Sequence, residues 1–131
     1  MPRLPRWPSL GLLLLMPLAF LAGLASAQGA TPFDGQYVGD LTLTNVISGD
    51  CTKPPPASVY PLTIAGGKVR FVFVPRFDTT LIGKVDGKGN LQASARIRHG
   101  FIRMTGYIQG DKITAQIESP SCKYTFQATQ G

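Results

Sequence analysis

Histidine and glutamate each occur once in these 131 residues, as His99 and Glu118, and cysteine only twice, as Cys51 and Cys122. A protein-held metal needs several such donors at one point, and two lone cysteines without a histidine pair do not supply them. The cysteines also lack the close C-x-x-C spacing of a reactive thiol pair. His99 stands beside Gly100 in a turn, with no serine, cysteine or carboxylate recognisable next to it, so neither general-base nor nucleophilic catalysis is indicated. Glu118 falls on the wet side of a strand, and most aspartates sit in or near turns, where Asp serves the backbone first. Nothing suggests the two converging carboxylates of a glycoside hydrolase. The chain is therefore expected not to be an enzyme and to use no metal or cofactor.

Long apolar runs are missing except at the N-terminus. There Arg3 and Arg6 precede an apolar stretch over residues 10–25, closed by Ala25-Ser26-Ala27, the pattern of a signal peptide and its cleavage site. Crossing a bilayer takes about 20 apolar residues, and this run is shorter and broken by Pro17. No cysteine follows the small residues, which argues against a lipid-modified N-terminus. Residues 1–27 are expected to be a cleaved signal peptide. Residues 28–131 are then one β-barrel domain of about 100 residues, periplasmic or secreted, with no membrane insertion of the mature chain. Loss of the two leader arginines takes the formal net charge from +6 to +4, ordinary for a secreted domain and too modest to point to nucleic acid.

Helical periodicity is missing as well. From Gly35 onward the apolar period is two: Tyr37, Gly39, Leu41 and Leu43 alternate with Val38, Asp40, Thr42 and Thr44. Val69, Phe71 and Phe73 alternate with Arg70 and Val72, and Leu91, Ala93, Ala95 and Ile97 with Gln92, Ser94 and Arg96. Ile113, Ala115 and Ile117 repeat the pattern. Turn residues separate the runs, at Gly66-Gly67, Arg76-Phe77-Asp78, residues 86–90, His99-Gly100, Gly110-Asp111 and Ser119-Pro120-Ser121. Connections this short reverse a strand into an antiparallel neighbour but cannot carry a parallel crossover. Strands are expected over residues 35–45, 59–65, 68–75, 79–86, 90–98, 101–109, 112–118 and 122–129. A weak hairpin repeat at residues 62–69, 83–91 and 106–113 supports a sheet that curls on itself and so removes its edges. The expected fold is all-β: an eight-stranded antiparallel up-and-down meander closing into a small barrel.

An eight-stranded barrel is just wide enough inside to be filled by side chains or to hold one small ligand. The inward positions mix small residues, Gly39, Gly83, Ala93, Ala95, Gly106 and Ala115, with large ones, Tyr37, Phe71, Phe73, Met104, Tyr124 and Phe126. Two readings stay open. The large residues line a cavity for an apolar ligand, or the small ones only make room for the large, as close-packed interiors favour. On the outside, Arg96, Arg98 and Arg103 flank the His99-Gly100 turn and are the best candidate anion-binding surface, since guanidinium groups grip phosphate, sulfate or carboxylate. A solubilising exterior is the competing explanation.

One connection is long, over residues 46–58, and contains Cys51 and Pro54-Pro55-Pro56. In a closed meander the first and last strands are neighbours, so Cys51, just after the first strand, can reach Cys122, at the start of the last. An exported chain meets an oxidising compartment, and a disulfide is expected, closing a loop of about 70 residues. A membrane barrel shows the same alternation with faces exchanged, but most of the expected strands fall short of the roughly 9 to 11 residues it needs, and aromatic girdles are absent.

Phe33-Asp34-Gly35-Gln36-Tyr37-Val38-Gly39, with residues 83–87 and Cys122-Lys123-Tyr124, resembles small uncharacterised exported β-barrel proteins of Gram-negative bacteria. That resemblance implies a periplasmic or secreted barrel and transfers no functional residue. Gly35-Gln36-Tyr37 also resembles, distantly, the Gly-x-Trp opening of lipocalins and their calycin relatives, with Tyr in place of Trp. It implies a non-catalytic calycin-like carrier of a small apolar or amphipathic ligand. The alternative is a protein-binding module or inhibitor acting through the 46–58 connection.

Overall fold

The structure, a computed structural model, describes residues 30–73 and 79–131. The expected leader and the expected turn at Arg76-Phe77-Asp78 lie outside the described residues. Eight strands follow in order: β1 Gly35–Val46, β2 Tyr60–Ala65, β3 Lys68–Phe73, β4 Thr79–Val85, β5 Asn90–Ile97, β6 Gly100–Gln109, β7 Lys112–Glu118 and β8 Cys122–Gln130. Each pairs antiparallel with the next, and β8 pairs back onto β1 to close the barrel. No helix among the described residues is long and apolar enough to cross a membrane. One expected position changes. Arg98 was placed on the outer face of the fifth strand, but Ile97 pairs with Gly100, so Arg98 and His99 form the two-residue turn and β6 begins at Gly100.

Because successive side chains of a strand point to opposite faces, the period of two becomes a dry inside and a wet outside. Among the described residues every side chain buried in the barrel is apolar, and no polar or charged residue is buried. Leu62, Phe71, Leu81, Met104, Ile117 and Phe126 have 0% exposure, so no water-sized void touches them. Outward positions carry Lys68, Arg70, Lys84, Gln92, Arg96, Arg103, Gln116 and Lys123, the reverse of the apolar outer band that a lipid-facing barrel presents.

Most of the small inward residues come in cross-strand pairs, Gly39 opposite Ala128, Gly83 opposite Ala93 and Gly106 opposite Ala115, while Ala95 faces the larger Ile102. A β-carbon at any of the three glycines would overlap the backbone of the neighbouring strand, at the carbonyls of Gln127, Gln92 and Thr114 respectively. The missing side chains are replaced by main chain. Strands approach and coil at these points, which lets an eight-stranded sheet close around large side chains.

The two ends differ. At one, the segment before β1 lies across the barrel: Phe33 packs against the core, and Asp34 accepts the N–H groups of Gly66 at 2.7 Å and Gly67 at 3.2 Å in the β2–β3 turn. The Thr31 hydroxyl donates to the same carboxylate, and the Tyr37 hydroxyl donates to the Phe33 carbonyl at 2.8 Å. These donors hold the Asp34 carboxyl below the usual carboxylate range, with the Thr31 hydroxyl the largest contribution. At the other end, the connection between β1 and β2 is tied down by the Cys51–Cys122 disulfide, with Cα atoms 5.8 Å apart.

Candidate functional site

The six inward residues Tyr37, Phe71, Phe73, Met104, Tyr124 and Phe126 do come together, as a core. All are buried, none more than 6% exposed. Phe71 and Phe126 meet at a tilt of 55° with ring centroids 4.7 Å apart, and Phe73 meets Tyr124 edge-on at 5.2 Å, distances at which aromatic rings attract beyond their area burial. The tyrosine hydroxyls are spoken for, Tyr37 by Phe33 at one end and Tyr124 by the Thr52 carbonyl, at 2.8 Å, at the other. Burial is the main reason both phenols are pushed up from the usual tyrosine range.

The outward arginines come together in part. Arg96 and Arg103 converge on the exposed ring of Phe101, their guanidinium carbons 5.6 and 5.2 Å from its centroid, a cation–π arrangement. Arg98 sits apart in the turn. Arg103 also lies opposite Glu118 on β7, and Glu118 pairs with Lys123 at 3.1 Å. That edge of the arginine cluster is thus partly neutralised. On its other side two lysines join it: Lys68 of β3 faces Lys84 of β4 directly, and both line, with Ile82 and Arg103, an outer concavity centred on Gly83. Sequence reading missed these lysines although the signal was present, since the alternation points both outward on consecutive strands.

The long connection is the third candidate. Besides the disulfide and the Tyr124–Thr52 bond, Ser58 donates through its N–H and its hydroxyl to the Pro55 carbonyl, at 3.3 and 2.7 Å. Those bonds close a turn in which Ala57 adopts φ 62°, a left-handed conformation costing a residue with a side chain about 1–2 kcal/mol. The connection is thus held in one shape, yet Val46 and Ile47 are each 50% exposed and Val59 65%. Between it and β1 lies a cleft of about 310 Å³, walled by residues 40–43 on one side and 53–58 on the other.

Strand stagger opens that cleft. β1 pairs with β8 from Tyr37 to Val46 but with β2 only from Gly35 to Gly39, because β2 begins at Tyr60, opposite Gly39. The Gln36 carbonyl accepts the Gly131 N–H, so Gln36 faces β8. Alternate residues of a strand send their N–H and C=O to the same side, so those of Leu41 and Leu43 face the cleft. Among the described residues no strand pairs with them there. The facing wall is Pro54-Pro55-Pro56, which has no N–H to offer.

His99 is exposed in its turn. Among the described residues no three His, Cys, Asp or Glu side chains gather at one point. No family model, no curated protein and no solved structure matches this chain. The class defined by its own geometry is a closed, disulfide-pinned, eight-stranded antiparallel barrel.

Proposed function

We propose that this is an exported, non-catalytic binding protein that engages a protein partner at the end of the barrel carrying residues 46–58. The observation that carries the reading is the cleft beside β1, where the main chain of Leu41 and Leu43 offers donors and acceptors at strand spacing with no strand among the described residues against them. Main chain of that kind is completed by an extended segment of another chain, which adds as a strand. A pinned connection loses little entropy when a partner binds, and Val46, Ile47 and Val59 supply apolar contact beside the cleft. Prolines beside an open edge are a common guard against indiscriminate strand pairing. Export is supported by the leader pattern together with a disulfide suited to an oxidising compartment.

A calycin-like carrier of a small apolar or amphipathic ligand needs interior room, and the packing of Phe71, Met104 and Phe126 at 0% exposure weighs against it. The test is photo-crosslinking from position 42 or 53 in exporting cells, paired with native mass spectrometry of the purified protein. A protein adduct formed at those positions and lost when Pro54-Pro55-Pro56 is replaced by a Gly/Ser segment is the expected result. A reproducible small-molecule mass without any protein adduct would overturn the reading in favour of the carrier.

A further inference from the structure

Charge is segregated around the barrel. β3, β4, β5 and β6 together contain no Asp or Glu, yet they carry Lys68, Arg70, Lys84, Arg96 and Arg103, all outward. Among the described residues the recorded ion pair, Glu118 with Lys123, lies on β7 and β8. Lys68 and Lys84 sit directly opposite each other, where like charges destabilise a strand pair. A barrel exterior meant only for solubility mixes both signs; these four strands do not, and the described acid nearest them in sequence, Asp86, is in the β4–β5 turn with its carboxylate bonded to the Lys88 and Asn90 amides.

The cations are arranged in two rungs that cross the strands. The first runs Lys68, Lys84, Gln92, Thr105 and the second Arg70, Ile82, Ser94, Arg103. Neighbouring positions on a rung are about 4.8 Å apart and the rungs about 6.8 Å apart. Between them the wall is hollowed at Gly83, where β4 closes on β5. The hollow therefore has cationic ends, hydroxyl and amide groups from Ser94, Thr105 and Gln92, and one apolar spot, Ile82, 54% exposed.

We propose that this wall binds an acidic polysaccharide, a linear chain bearing sulfate or carboxylate groups, independently of the partner site at the loop end. Cations at the ends of the hollow match charges repeated along such a chain. The hydroxyl and amide groups match sugar hydroxyls, and Ile82 matches the apolar face of a sugar ring. A bilayer is flat and meets a hollow poorly. Nucleic acid is favoured by free aromatic faces for base stacking; of the two exposed rings on β6, Phe101 is already taken by two arginines and Tyr107 does not line the hollow.

The probes are a fluorescein-labelled heparin oligosaccharide and a polygalacturonate oligomer, titrated into the full-length mature protein at about 0.1 M salt, where weak surface charge is already screened. Lys68→Gln/Lys84→Gln is expected to weaken binding of at least one probe about tenfold or more while leaving the β spectrum intact and raising the melting temperature, since a repulsive pair has gone. Lys53→Gln/Lys112→Gln, which removes as much charge from outside the wall, is expected to leave binding nearly unchanged. Equal losses in the two double variants would reduce the effect to net charge and overturn the proposal. So would no binding of either probe by the wild type, or tighter binding to vesicles rich in phosphatidylglycerol than to the glycans.

Discussion

Gly83 on β4 lies opposite Ala93 on β5, so close that a β-carbon at Gly83 would overlap the Gln92 carbonyl. The contact joins two properties of the barrel. The close approach of β4 and β5 there lets the sheet coil around the Phe71 cluster, and the same glycine lines the outer concavity between the cationic rungs.

Gly83→Ala is accordingly expected to destabilise the protein by about 1–3 kcal/mol, the range for overpacking a close-packed site. Gly87→Ala is the control, because nothing lies within 4 Å of a β-carbon there, and it should stay within about 0.5 kcal/mol of the parent. Urea midpoints of the two variants decide the matter. Equal midpoints would mean that β4 and β5 do not approach as described.

The disulfide joins the connection after β1 to the first residue of β8, across the seam where the first and last strands meet. Cys51→Ala/Cys122→Ala should keep the β spectrum, since the seam also has its own ladder, but unfold with about 2–4 kcal/mol less stability. An unchanged urea midpoint in the double variant would show that the bridge does not constrain the unfolded chain.

Asp34 should make the strap before β1 sensitive to acid. Its carboxyl is held low by the Thr31 hydroxyl and the Gly66 and Gly67 amides, so the ionised form is favoured by folding. Its contribution is full above roughly pH 4, the unfolded value, and is lost as pH falls through the folded one. Wild type should exceed Asp34→Asn in stability at pH 7, and the gap should narrow steadily below pH 4. A gap that stays constant down to pH 2 would remove the charge from the explanation.

Ala57 holds φ 62° at the lip of the cleft. Glycine adopts that conformation without the side-chain penalty but brings a more flexible unfolded chain, so Ala57→Gly should stabilise by about 0.5 kcal/mol, measured by thermal unfolding. Loss of partner crosslinking in this variant, with stability kept, would show that the rigid alanine turn serves binding.

The strands and their faces were legible in the sequence because side-chain direction alternates locally: Val69-Arg70-Phe71-Val72-Phe73 states its own inside and outside. Turns such as 86–90 were legible for the same local reason, as Asp86 accepts the Lys88 and Asn90 amides at 2.8 and 2.9 Å within a few residues. Short connections dictated an antiparallel meander, and closure then brought Cys51 to Cys122. The turn at Arg98-His99 was misplaced by one residue, since only the pairing of Ile97 with Gly100 fixes where the hairpin reverses.

What the sequence determined by itself was therefore the alternation, the order of strands and the disulfide, all properties of neighbours along the chain or of a closed meander as such. Only the tertiary structure decided what the small inward residues are for, because Gly39, Gly83 and Gly106 look like empty space until the main chain of the next strand is seen against them. It also decided that Lys68 meets Lys84 and that, among the described residues, no strand meets Leu41 and Leu43 on the β2 side. Those facts depend on register and stagger between strands, and a strand's own pattern of two contains no information about how far it slides along its neighbour.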